Sequence, residues 1–157
     1  MDDRITAEAV DYIGIRRLQS SYADIVTRRA WDEFETIFLP DARIVVDRQA
    51  GEPHRLDGAP ALAEFISKAI GHMDFFQFVV LNTIVDIRDE EAAGRMYMCE
   101  IRHDSRAGHT MSYGLYKDKY RKIDGKWWFA DRLYRVMGRS QTTDYNVFAM
   151  SEADFRI

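Results

Sequence analysis

Residues 108–136, GHTMSYGLYKDKYRKIDGKWWFADRLYRV, constrain this chain more than any other stretch. Asp124-Gly125 separates two strand-like runs. A type I′ turn needs positive φ at both central residues, which Asp and Gly tolerate, so the stretch predicts a hairpin. Before the turn, Met111, Tyr113 and Leu115 share one parity, and Ser112, Gly114, Tyr116 and Tyr120 the other. After it, Trp127 and Phe129 share a face, with Trp128 and Ala130 opposite. Aromatics on both faces predict a strand pair covered on both sides for part of its length. We read it as the floor of the core and one wall of a pocket.

Upstream, Ile15, Leu18, Tyr22, Ile25 and Val26 recur at spacings of three and four. They make one apolar helix stripe, with Arg16, Arg17 and Gln19 off it and Thr6 as the N-cap. Trp31, Phe34, Ile37 and Phe38 predict a second, short helix, stopped by Pro40-Asp41. Residues 42–46 read as a strand and 47–57 as a polar loop. Leu62, Phe65, Ile66, Ala69 and Ile70 form the stripe of a third helix ended by Gly71. Residues 75–87, 93–103 and the hairpin arms are expected strands. Periodicity lapses from Met137, so 138–157 reads as a surface-wrapping or dimer-contacting tail. Helices early and antiparallel strands late make one α+β domain over 1–157, with its core in 8–137 and a curved antiparallel sheet wrapped around the first and third helices.

The chain has 157 residues, 46% hydrophobic and 31% charged, an ordinary globular balance. Lys plus Arg number 22 against 26 Asp plus Glu, a net charge of −4. That argues against nucleic acid as the main partner, because neutralising phosphates takes a basic face. No apolar run reaches the roughly 20 residues of a membrane span. The acidic start, MDDRITAEAV, has no signal-peptide apolar region. A single cysteine, Cys99, fits a reducing compartment, so the expected location is the cytoplasm, with no membrane partner.

Candidate chemistry is sparse. His54, His72 and His109 lie in or beside turns, where solvated histidines are the norm. His103 ends the set Tyr97, Cys99, Ile101, the more apolar parity of its strand. It is either a half-buried strand-end histidine bonded to backbone or a general acid/base, since imidazole titrates near neutrality. Asn82 sits in an apolar strand, so its amide needs a backbone or ligand partner. Tyr22, on the buried helix stripe, and Tyr116, on the hairpin, can donate to a substrate oxygen or simply pack. Glu100 follows Met96 and Met98 on its strand face, with Arg102 beside it. Asp24 lies about 200° around the helix from Tyr22 and is expected to face solvent. His103 and His109 lack a convincing third metal ligand. There is no Gly-rich phosphate loop, nucleophile elbow or CxxC, so no metal and no cofactor are expected. Cys99 reads as a small core residue.

Three segments together carry a resemblance. LQSSYADIVTRRAWDEFETIFLPDARI, LDGAPALAEFI and SYGLYKDKYRKIDGKWWFADRLYRV resemble, in order and spacing, the landmarks of SnoaL-like proteins, in the nuclear-transport-factor-two-like superfamily. Within it, scytalone dehydratase and bile-acid dehydratase are the enzymes most resembled. The resemblance covers about residues 8–137 and implies a cone-shaped, cystatin-like α+β barrel with a deep pocket. It implies cofactor-free dehydration, isomerisation, cyclisation or dehydrohalogenation. It also sets Thr27 where many catalytic relatives carry a carboxylate, and Phe78 where many carry a histidine. His103 matches a pocket histidine of scytalone dehydratase. Glu100 lies near a carboxylate position of the bile-acid enzyme, and Tyr22 matches its helix tyrosine.

Two functions of different class follow. The first is a lyase or isomerase of dehydratase or cyclase type, acting on a polycyclic, steroid-like or polyketide-like molecule. There His103, Tyr22 and Tyr116 would be catalytic, and Thr27, Phe78, Asn82, Glu100 and Asp24 would contact substrate. The second is a non-catalytic protein that binds a small hydrophobic ligand in the same fold. Thr27 and Phe78 favour the second, because they leave that end of the pocket neutral. A homodimer or higher homo-oligomer is expected under both.

Overall fold

The Asp124-Gly125 turn adopts φ of 50° and 77°, the positive pair that a type I′ hairpin requires. It joins the two longest strands of a computed structural model that describes residues 3–142. In chain order the elements are α1 (Asp3–Arg28), a 3₁₀ segment (Trp31–Thr36), β1 (Phe38–Asp47), β2 (His54–Asp57), α2 (Gly58–Ile70), β3 (Phe75–Arg88), β4 (Glu91–Asp104), β5 (Gly108–Ile123) and β6 (Lys126–Thr142). The strands form one curved, unclosed sheet in the order β2-β1-β6-β5-β4-β3. Register shifts at Val80/Asn82, Tyr113/Gly114 and Lys119/Tyr120 bend it. α1 packs on β3 and β6, and α2 on β1, so both helices fill the concave side of an α+β fold.

Several local expectations need correction. β1 pairs with β6 in parallel, while the other neighbours are antiparallel. A period of two marks a strand without specifying the direction of its partner, so alternation could not show this. β2 lies in the expected loop; its residues are mostly exposed, as suits a short, charged edge strand. The expected second helix is the 3₁₀ segment. α1 begins before Thr6, which is therefore not its cap. Gly71 ends α2 without a left-handed turn: a Cβ there would stand 2.7 Å from the Ser67 carbonyl oxygen. β6 runs on to Thr142, pairing opposite His109, so pairing continues past Met137. Residues 143–157 of the expected tail lie outside the described residues.

The α1 stripe is core as read, with Ile15, Leu18, Tyr22, Ile25 and Val26 all buried. Burying each such aliphatic side chain contributes about 1.5–3 kcal/mol. Gln19, assigned to the polar side, is also fully buried. In the sheet, Phe78, Met98, Tyr116 and Phe129 meet α1 from the concave face. Gly114 makes room there, since a Cβ would come within 2.9 Å of the Met98 sulfur. The β4 parity is the reverse of the apolar reading. Met96, Met98, Glu100 and Arg102 share the concave face, and Tyr97, Cys99, Ile101 and His103 alternate with them on the other side.

Candidate functional site

Two polar systems are built into the concave face. The first begins at Arg132 of β6. Its Nε and Nη2 donate to Asp118 Oδ1 and Oδ2 at 2.7 and 2.8 Å, and the two side chains are 1% and 0% exposed. Asp118 stands opposite Arg132 in the β5–β6 register, so the pair closes across the hairpin. Charges this deep are tolerable only when paired and hydrogen-bonded. The Tyr120 hydroxyl donates to Asp118 Oδ2 at 3.0 Å, and Gln19 Nε2 donates to Tyr120 at 2.8 Å and to Thr83 Oγ1 at 2.9 Å. The buried Gln19 thus ties α1 to β3 and β5.

The Arg132 guanidinium carbon lies 4.1 Å from the ring centres of Tyr22, Tyr116 and Phe129, a desolvated cation–π geometry. The Tyr22 ring meets five aromatic neighbours at centroid distances between 5.3 and 6.2 Å, which fixes its direction. Its hydroxyl is 3.4 Å from that of Tyr116. Burial pushes both phenols above their usual pKa, against the pull of Arg132, so both stay protonated at neutral pH. Two phenols carry two O–H donors and one bond joins them. One proton is left for a ligand.

The second system is Glu100 and the arginines around a cavity of about 130 Å³. Tyr22, Phe78, Glu100, Tyr116 and Arg132 all line it, under a lid of α2 side chains that includes Leu62 and Phe65. Glu100 keeps 18% of its side-chain surface, and its Oε2 is 3.6 Å from Arg102 Nη1, too long for a good hydrogen bond. Burial raises its pKa, only partly offset by Arg102 and Arg139. A carboxyl held up in this way is a better base near neutrality and a usable acid once protonated.

Of the residues proposed from sequence, Tyr22, Phe78, Glu100 and Tyr116 come together at this cavity, and Thr27, Asn82, His103 and Asp24 do not line it. The Phe78 backbone N–H donates to Thr27 Oγ1 at 3.0 Å, so the threonine clips the end of α1 to β3. Asn82 is exposed at the β3 bulge, where its Oδ1 accepts from the Thr83 N–H at 2.8 Å. His103 is on the other face of β4, with Nδ1 3.2 Å from Asp74 Oδ2, and the Asp74 N–H donates to the His103 carbonyl at 2.9 Å. Asp24 is exposed and pairs with Arg28 at 2.8 Å. Phe78 occupies the histidine position implied by the resemblance, and its cross-strand neighbour is Glu100.

Sequence reading missed Arg132, Asp118 and Gln19, together with the cavity arginines Arg48 and Arg139, while Arg102 stands beside Glu100 as read. One signal was available: Asp118 shares the parity of Tyr116 and Tyr120, and a carboxylate between two inward tyrosines demands a buried cation. Two wider depressions, of about 730 and 670 Å³, include the exposed Arg43 and the half-buried Asp131, which pair with each other. Among the described residues no group of three or more His, Cys, Asp or Glu could hold a metal ion. No helix among them is long and apolar enough to cross a membrane.

The fold recurs in solved structures. A provisionally assigned scytalone dehydratase from Novosphingobium aromaticivorans matches with a TM-score of 0.75 at 20% identity, over 92% of this chain and 94% of that one. Hexachlorocyclohexane dehydrochlorinase LinA-type3 from Novosphingobium barchaimii matches with a TM-score of 0.76 at 15% identity, over 94% and 98%. A Nostoc punctiforme protein of unknown function with a cystatin-like fold matches with a TM-score of 0.68 at 18% identity, over 82% and 92%. Identities this low establish the fold alone. No curated protein matches the sequence. Residues 7–133 do match the SnoaL-like domain, and the chain belongs to that family.

Proposed function

We propose that this protein is an acid–base lyase or isomerase, with Glu100 as the group that moves the proton and the Tyr22–Tyr116 pair as the electrophile. The observation that carries the reading is the Glu100 carboxyl, with its raised pKa, in the same cavity as a phenol pair holding one unused O–H. Glu100 takes a proton from the carbon next to a substrate carbonyl. The free tyrosine O–H donates to the carbonyl oxygen as it becomes an enolate, and Arg132 beneath the rings stabilises the same charge. In an elimination, the proton held on Glu100 is then given to the departing hydroxyl. In an isomerisation, it returns to another carbon.

Size refines the substrate. A cavity of about 130 Å³ is close to the roughly 150 Å³ engineered cavity that holds benzene. A single ring fits this space better than the polycyclic or steroid-like skeleton suggested by the family resemblance.

A binding-only reading draws on one feature: Thr27 and Phe78, joined by the Phe78 N–H, stand where the family resemblance implies a carboxylate and a histidine. One experiment separates the two. Single-ring ketones carrying a β-hydroxyl are incubated in deuterated water, and exchange next to the carbonyl and loss of water are followed. Catalysis by the wild type, reduced about 10²–10⁴-fold in Glu100→Gln with ligand affinity largely kept, is the expected result. Ligands that bind without exchange or elimination would establish the binding protein instead.

A further inference from the structure

The charged residues lining the cavity are unbalanced. They are Arg48, Arg102, Arg132 and Arg139 against Glu100 alone. Arg132 is neutralised by Asp118, which leaves three arginines facing one carboxylate in a chain whose net charge is −4. Holding Glu100 in place does not require three. Arg102 is its ion-pair partner, at 3.6 Å, and the Arg102 Nε is buried without a hydrogen-bond partner. A buried guanidinium N–H left unpaired is costly, and an incoming acceptor would relieve it. Among the described residues neither Arg48 nor Arg139 forms an ion pair. Arg48 rests 5.9 Å over the Phe65 ring, with Nη2 3.3 Å from His54 Nε2. Arg48 and Arg139 are exposed and Arg102 half-buried, whereas Tyr22 and Tyr116 are buried. The cations therefore lie toward the solvent side of the cavity and the aromatic groups toward its floor.

From this gradient we infer that the substrate is a ring carboxylate: an uncharged ring that enters the aromatic floor, with a carboxylate handle left at the arginine rim. The guanidinium fork suits a carboxylate because it can donate two parallel N–H bonds. The inference takes the site itself from the acid–base reading above. The handle is separate from the carbonyl that acidifies the proton, since an enolate next to a carboxylate would concentrate negative charge. Partial exposure of the rim suits this division, because water continues to solvate the anion while the ring is desolvated.

Binding can be measured without knowing the reaction, so failure of the lyase reading and failure of this one are distinguishable. Benzoate and its neutral isostere benzamide are titrated by calorimetry into the wild type and into Arg48→Gln, Arg139→Gln, Arg102→Gln and the triple variant. The exposed positions Arg48 and Arg139 can be changed without disturbing the core. The wild type is expected to prefer benzoate about tenfold to a hundredfold, the range for a hydrogen-bonded charge. Each single variant should narrow that preference, the triple variant should abolish it, and benzamide affinity should hold throughout. Benzenesulfonate and phenyl phosphate test the anion itself: binding tighter than benzoate would replace the carboxylate with another oxyanion and overturn the assignment. Equal binding of benzoate and benzamide, no binding of either, or a preference that survives in the triple variant would also overturn it. If benzoate is preferred but Glu100→Gln leaves turnover unchanged, the substrate class stands and the assigned proton carrier falls.

Discussion

Along β4 two sets of side chains alternate. Glu100 and Arg102 line the cavity, with Met96 and Met98 on the same concave face, and Tyr97, Cys99, Ile101 and His103 face away. By apolarity alone the second set should be the core. The first carries the carboxyl with the raised pKa and a guanidinium N–H left unpaired. Across the rest of the sheet the contrast persists. The concave face buries Asp118 and Arg132, while Leu81 and Ile84 of β3 stay 57% and 54% exposed. The sheet thus departs from the inside–outside rule on both sides, burying charge on its concave face and leaving apolar side chains of β3 in solvent.

The largest expected effect contrasts a buried ion pair with an exposed one. Arg132→Gln leaves Asp118 buried without its cation and should cost about 3–5 kcal/mol in urea unfolding. Replacing both partners, Arg132→Met with Asp118→Leu, should restore most of that loss, because no unpaired charge remains. Arg43→Gln, which removes the exposed Arg43–Asp131 pair, should leave the midpoint unchanged. Equal losses from Arg132→Gln and Arg43→Gln would mean that the concave charges are solvated and that the two faces do not differ.

Next in size is Tyr116→Phe. It keeps the ring stacked under Arg132 and removes one of the two paired hydroxyls. Turnover should fall about 10²–10³-fold, the usual cost of a lost oxyanion donor, with little change in affinity. A change in KM alone would make the tyrosine pair a binding feature.

Glu100 then gives a signature in stability. Its folded pKa lies above the ordinary carboxylate value. As pH rises from that ordinary value through the raised one, the folded protein still holds a proton that the unfolded chain has released, so stability falls. Below the ordinary value both states are protonated and no penalty exists. Glu100→Gln should therefore raise Tm at neutral pH, and the gain should shrink toward a pH of about 4. A gain that is constant with pH would point to packing rather than charge.

Much of the fold was legible because its signals are local. The Asp124-Gly125 turn, the Ile15–Leu18–Tyr22 stripe and the long alternations of β3 to β6 each announce themselves within a few residues. Tyr22 and Tyr116 were legible as well, since buried phenols need partners wherever they are. The remainder depended on pairings distant in sequence. The parallel β1–β6 contact, the Gln19–Tyr120–Asp118–Arg132 network and the charge excess at the cavity all join residues far apart in the chain. His103 illustrates the failure most plainly. The apolar parity of Tyr97, Cys99 and Ile101 marked its side as the interior, whereas the interior face of β4 is the one that carries polar groups.

His103 yields the smallest effect, and it tests the assignment of the faces most directly. Its ring is held by Asp74 at the turn that begins β3, on the side of β4 away from Glu100. A side chain in that position can help to anchor the Asp74 turn, but it has no route to a substrate lying against Tyr22 and Tyr116. His103→Gln should therefore leave turnover and benzoate affinity within about twofold of the wild type, the scale of substitutions away from a site. A small loss of thermal stability is compatible with the anchoring contact, and Asp74→Asn should reproduce it. A drop of about 10²-fold or more in turnover, the effect of a lost acid or base, would place the imidazole in the chemistry. It would make His103 rather than Glu100 the proton carrier and reverse the roles assigned to the two faces of β4.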